Sequence, residues 1–120
     1  MAELTVLHNP RCSTSRAALE ATDEAEVTPD IVQYLKDPLD AAALGDLLDK
    51  LEDPPTDLVR RDKNFTELGL GEEDVQTREQ VIAVLTEHPQ LMQRPVLIAG
   101  DRAIIGRPKD RVPAFLAELG

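Results

Sequence analysis

Apolar positions fall in short blocks separated by polar or turn-forming residues. Leu4 to Leu7 is a compact apolar run ending at His8, and it predicts a short buried strand. Asn9-Pro10 breaks that strand, and Arg16 to Ala21 predicts a helix. Ser13, Thr14 and Ser15 precede it, and hydroxyl residues are favoured at helix N-caps, so Cys12 should sit at or just before the helix start. Val27 to Tyr34 is rich in β-branched residues and predicts a second strand. Pro29 inside it implies an edge position or a late start. Leu44, Leu47, Leu48 and Leu51 recur at helical spacing, so Asp40 to Leu51 predicts a helix with Asp40 as its cap. Asp53-Pro54-Pro55-Thr56 ends it. A short helix is expected over Asp57 to Arg61, then a turn, with breaks at Gly69 and Gly71. Thr77 and Gln80 have capping-box spacing and open a helix carrying Val81, Val84 and Leu85 to near His88-Pro89. Val96 to Ala99 and Ala103 to Ile105 predict two strands around a hairpin turn at Gly100-Asp101-Arg102. A final helix is expected over Asp110 to Leu119.

The order is β-α-β, a helical stretch, then β-β-α. A βαβ unit requires a parallel pair and a tight hairpin an antiparallel one, so the sheet must be mixed. The expected fold is α/β: a small mixed sheet flanked by helices, with a helical insertion over about residues 40–90 between the two halves. That is the element order of a thioredoxin-like domain. The whole chain, 1–120, is expected to be one such domain.

Composition narrows the core and the partners. Apolar residues are 42% of the chain, but with two Phe, one Tyr and no Trp the core must be aliphatic. The chain lacks an apolar run long enough to span a bilayer, and its start lacks the basic and apolar regions of a secretory signal. A cytoplasmic protein without membrane association is expected. The net charge of −10 arises within residues 20–57, which hold 12 acidic residues against Lys36 and Lys50. A balance of this sign argues against nucleic-acid binding, which wants a basic face. A solvated acidic surface is the expectation.

The chemistry points to Cys12. It is the one cysteine, so an internal disulfide and a multi-thiolate zinc site are both excluded. Any disulfide partner must come from another molecule. A strand–loop–helix position brings backbone N–H groups and the positive end of the helix dipole to the sulfur, which favours thiolate. Arg11 and Arg16 are expected to add positive charge on either side. The same N–H groups suit a tetrahedral oxyanion.

His8-Asn9-Pro10-Arg11-Cys12-Ser13-Thr14-Ser15-Arg16 resembles the active-site signature of the ArsC/Spx family of thioredoxin-fold proteins. Further resemblances follow in order: Leu58-Val59-Arg60, Glu67-Leu68-Gly69-Leu70, His88-Pro89 through Gln93-Arg94-Pro95-Val96, and Gly106-Arg107-Pro108. Together they cover nearly the whole chain. In the arsenate-reducing branch of the family, one cysteine and three arginines form the site. The resemblance places these at Cys12, Arg60, Arg94 and Arg107, with Arg61 as the alternative to Arg60. Guanidinium groups match the paired oxygens of a phosphate-like dianion. The resemblance also implies a cis Pro95 beside the cysteine, and hydrogen-bonding support from His8 and Ser15 that depresses the cysteine pKa. Thr14 is expected to cap the helix and line the site.

What the resemblance implies is an arsenate reductase. Cys12 would attack arsenate, a small thiol such as glutathione or mycothiol would add to arsenic, and a glutaredoxin-like protein would complete the reduction. No bound cofactor or metal is expected, and a monomer is. Two alternatives stay open. One is an Spx-like regulator binding RNA polymerase, although Ser15 in the second position of a Cys-x-x-Cys pair excludes an internal disulfide switch. The other is a glutathione-dependent thiol reductase acting on mixed disulfides.

Overall fold

A computed structural model of the chain describes residues 4–119. Four strands form one sheet in the order β2-β1-β3-β4: β1 (Thr5–Leu7), β2 (Asp30–Val32), β3 (Val96–Ala99) and β4 (Arg102–Ile105). β1 pairs parallel with β2, and β3 pairs antiparallel with both β1 and β4. The mixed sheet follows from the element order. The parallel β1–β2 pair is joined across helix α1 (Ser13–Glu24), and β3–β4 is joined by a two-residue turn. Gly100 in that turn has φ +60°, a conformation that costs glycine little. β2 starts three residues after Val27 and lies at the sheet edge, as Pro29 implies.

Strand alternation divides the core in two. Val6, Leu97, Ala99 and Ile104 face α1 and the C-terminal helix α5 (Arg111–Leu119), through Ala18, Val112, Phe115 and Leu116. Leu7, Val96, Ala103 and Ile105 face the opposite layer. That layer is the helical segment between β2 and β3, led by α2 (Ala41–Lys50) with Leu44, Leu47 and Leu48 buried. Asp40 caps α2, its side chain accepting from the Ala43 N–H at 2.8 Å. The helix α4 (Arg78–Glu87) opens on the Thr77–Gln80 capping box and buries Val81 and Leu85.

The connector between α2 and α4 differs from expectation. A 3-10 turn covers Pro55–Leu58, Val59 is extended, and Arg60 and Arg61 lie outside any helix. Val59 bridges Met92, and the Leu58 carbonyl accepts from Gln93 N–H at 2.7 Å. These tertiary bonds outcompete a local helix. The segment expected as a turn holds α3 (Lys63–Glu67), which Asp62 caps by accepting from the Phe65 N–H at 3.1 Å. Among the described residues, no helix is long and apolar enough to cross a membrane.

Candidate active site

The Cys12 loop is built from near neighbours. Cys12 is itself the N-cap of α1, so Thr14 is the second helical residue and not the cap. Its N–H donates to the Asn9 carbonyl at 3.0 Å. Ser15 is fully buried, and its hydroxyl shares a 2.6 Å hydrogen bond with His8 Nδ1 and accepts from the Asn9 N–H at 3.1 Å. Asn9 Oδ1 in turn accepts from the Arg11 N–H at 2.9 Å. Each of these bonds spans seven residues or fewer, so the loop carries its own frame.

The sheet register brings the distant residues to the same end. β1 runs into His8, and its last residue, Leu7, pairs with Val96, the first residue of β3. Arg94 and Pro95 therefore sit beside the Cys12 loop, and the Arg94–Pro95 peptide is cis. Val96 pairs with Ile105, the last residue of β4, so Gly106 and Arg107 emerge at that end too. Gly106 allows the close approach. A Cβ there would lie 2.8 Å from Pro95 Cγ, and the Gly106 N–H donates to the Pro95 carbonyl at 2.8 Å. Arg60 is delivered by the connector, its N–H donating to the Leu91 carbonyl at 2.7 Å.

Arg107 closes the arrangement. Its Nη2 donates to Cys12 Sγ at 3.2 Å and its Nε to the Arg94 carbonyl at 2.7 Å. Asp53 and Arg111 brace this loop from below. Arg111 donates to Asp53 at 2.8 Å and to the Ile105 and Arg107 carbonyls, and Asp53 accepts from the Ile105 N–H.

Electrostatics favour an anion here. Burial pushes the Cys12 thiol up, but the Ser15 backbone N–H, Arg94 and Arg107 together outweigh it, and the net displacement is downward. The Ser15 N–H faces the sulfur without closing a capping hydrogen bond. Arg60 is drawn below its ordinary value by burial and then by the neighbouring charge of Arg94, with Arg107 adding to it. Asp62, 3.5 Å away, offsets part of this. Three guanidinium groups thus crowd around one sulfur, and a bound dianion would relieve their repulsion. His8 is held below its ordinary value by burial and by Arg16, so it stays neutral near pH 7.

One expectation changes here, and one choice is narrowed. The positive charge at the sulfur comes from Arg94 and Arg107, not from Arg11 and Arg16. Arg11 is exposed, and Arg16 turns back to donate to the Pro10 carbonyl at 2.8 Å. Between the adjacent arginines, Arg60 faces the cluster. Arg61 is committed elsewhere, to Thr56, the Val59 carbonyl and Glu72. The sequence reading missed Tyr34, which is fully buried beside Asn9, Arg94 and Cys12. Its hydroxyl faces Asn9 without hydrogen-bond geometry and is left unpartnered, as is Arg94 Nε. The single tyrosine of the sequence was the signal available. A surface groove of about 810 Å3 between α1 and α5 includes none of these residues.

Comparison with known proteins finds relatives across nearly the whole chain. A sequence model of the ArsC family matches residues 7–115. An arsenate reductase of Neisseria meningitidis serogroup A is 35% identical over 118 residues, covering 97% of this chain and all of the relative. An uncharacterized protein of Escherichia coli K12, YfgD, is 38% identical over 112 residues, covering 92% of this chain and 93% of that one. The solved structure of an arsenate reductase from Vibrio cholerae superposes with a TM-score of 0.82 at 27% identity, over 92% of this chain and 95% of its own.

Proposed function

The chain belongs to the ArsC family, and from that premise we propose that it reduces arsenate to arsenite through Cys12. The observation that carries this reading is the convergence of Arg60, Arg94 and Arg107, from three separate segments, on one thiol whose pKa is lowered. The relatives named arsenate reductases support the choice of oxyanion.

Arsenate is held by the three guanidiniums. The Cys12 thiolate attacks arsenic, an As–S bond forms, and one oxygen leaves as water with protons from solvent. Arsenic remains at +5. An external thiol, glutathione or mycothiol, then condenses at arsenic with loss of a second water. A glutaredoxin-like thiol attacks that external sulfur. Their disulfide takes one electron from each sulfur, and the pair stays on arsenic, now +3. Water cleaves the remaining As–S bond, releasing arsenite and Cys12. The lone cysteine makes the external thiols necessary. His8 and Ser15 hold the loop, and Tyr34 and Arg94 Nε offer uncommitted donors at its wall.

The test is arsenite formation with several thiol systems, each with a glutaredoxin, for the wild type and Cys12→Ser. The variant is expected to fall to background, because a serine hydroxyl stays protonated at neutral pH. Undiminished turnover would sink the proposal. Turnover of mixed disulfides with none of arsenate would move the assignment to a thiol reductase.

A further inference from the structure

Buried polar atoms without a hydrogen-bond partner are rare in folded proteins, and each asks for a reason. Among the described residues two of them, the Tyr34 hydroxyl and Arg94 Nε, belong to neighbouring side chains. The sheet brings them together. The His8 N–H donates to the Val32 carbonyl at 2.8 Å, so the chain leaving β2 runs beside the Cys12 loop. Tyr34 follows two residues on, fully buried in the layer that holds Leu7 and Val96. Leu7 pairs with Val96, and Arg94 lies two residues before Val96. Burial holds the phenol above its ordinary value, so it is neutral. The Arg94 guanidinium is the largest influence in the other direction, ahead of Asn9.

The three arginines are not equally fixed. Arg107 is tied at Nε to the Arg94 carbonyl and at Nη2 to Cys12 Sγ. Arg60 has Asp62 at 3.5 Å. The Arg94 side chain lies close enough to Cys12 to lower its pKa, yet Nε is left without a partner. A phenol suits that gap, because its oxygen accepts from one N–H while its O–H donates elsewhere. The Asn9 side-chain oxygen, which accepts from the Arg11 N–H at 2.9 Å, has a second lone pair to receive it. The guanidinium fork is planar and rigid, so an anion that turns its terminal nitrogens turns Nε with them.

We propose that Tyr34 is a positioning residue of the anion site: as the terminal nitrogens of Arg94 take up a tetrahedral oxyanion, Nε of the same guanidinium closes on the Tyr34 hydroxyl. Two groups left unpaired in this structure are then satisfied together, and anion affinity gains what their pairing returns. The inference rests on the reading that the arginine cluster binds an oxyanion, and not on what is then done to that anion. Tyr34 acts through Arg94, since its own hydroxyl is buried.

The test uses inorganic phosphate on the full chain, at ionic strength matched with chloride. Phosphate should protect Cys12 from alkylation by iodoacetamide. The chain has one tyrosine and no tryptophan, so its near-ultraviolet absorbance and fluorescence report on Tyr34 alone. That signal should change with the same half-saturation as the protection. In Tyr34→Phe the phosphate needed for half-protection should rise roughly tenfold. The denaturation midpoint should hold or rise, because only an unpartnered hydroxyl is lost; a purely structural tyrosine would instead change stability and leave affinity alone. In an Arg94→Lys background, which keeps the charge but has no Nε, Tyr34→Phe should cost nothing further. Equal protection in wild type and Tyr34→Phe, a tyrosine signal unmoved by protecting phosphate, or a penalty that persists in Arg94→Lys would each overturn the assignment while leaving the anion site standing. Absence of protection in the wild type would remove the anion site and the inference with it. Tyrosine-dependent phosphate binding in a protein without arsenate turnover would support the positioning role and remove only the reductase reading.

Discussion

The Cys12 loop and the arginine cluster meet at one sulfur but are assembled by different means. The loop holds itself through the His8–Ser15 bond, the Asn9 N–H to Ser15 bond and the Asn9 turn, all within nine residues of sequence. The cluster has no such frame. Arg60, Arg94 and Arg107 arrive from a bridge, a strand start and a strand end, and the sheet register decides whether they meet. The proposed nucleophile rests on local sequence, whereas the proposed oxyanion site rests on tertiary packing. Changes to the two regions should therefore separate into effects on folding and effects on reactivity.

The largest expected effect lies on the arginine side. Arg107→Ala removes both the donor to Cys12 Sγ and one wall of the anion site. The expected loss in kcat/KM for arsenate is roughly 10²-fold, the scale of deleting one preorganised charge-stabilising donor. With one positive charge gone, burial gains weight and the thiol should titrate at higher pH. The pH dependence of Cys12 alkylation reads that shift directly. An unmoved inflection would leave thiolate stabilisation to the Ser15 N–H and Arg94.

Ser15→Ala is the complementary change and should be the next largest. It deletes the hydroxyl that pairs with His8 and Asn9 but keeps the backbone N–H that faces the sulfur. Two buried polar groups lose their partner, which costs about 1–3 kcal/mol of stability. Denaturant unfolding should show that loss, while the alkylation inflection moves less than in Arg107→Ala. A larger inflection shift in Ser15→Ala than in Arg107→Ala would reverse the division between frame and charge.

The same division explains what could be read from the sequence. The helix start at Cys12, the Asp40 cap, the Thr77–Gln80 box and the Gly100 turn are decided by residues a few positions apart, and each was legible. The connector was not. Val59 and Arg60 are kept out of a helix by hydrogen bonds from Gln93 to Leu58 and from Arg60 to Leu91, partners about 30 residues away that no local pattern announces. The choice between Arg60 and Arg61 turned on the same contacts, because Arg61 is absorbed by Thr56, Val59 and Glu72. Arg11 and Arg16 show the converse error, since nearness in sequence to Cys12 did not bring their charges to the sulfur. Asp53 was legible as a helix stop but not as the brace of Arg111 beneath Arg107.

The smallest expected effect tests whether the loop's frame depends on a neutral His8. Its folded pKa lies below the ordinary 6.5, because burial and Arg16 disfavour the imidazolium. As the pH falls through 6.5, the unfolded chain takes up a proton that the folded chain still refuses, so acid favours unfolding. The contribution of His8 to stability is thus complete above 6.5 and is lost as the pH falls from there through the folded value. Denaturant midpoints between pH 7.5 and 5.5 should decline in the wild type, on top of the shared decline from carboxylates. His8→Gln removes this titration, keeps a polar side chain beside Ser15, and should flatten the decline while lowering the midpoint at pH 7.5. Equal slopes in the two proteins would mean that proton uptake by His8 does not oppose folding. The loop's frame would then tolerate an imidazolium, and the neutral His8–Ser15 pair would no longer distinguish it from the charged cluster opposite.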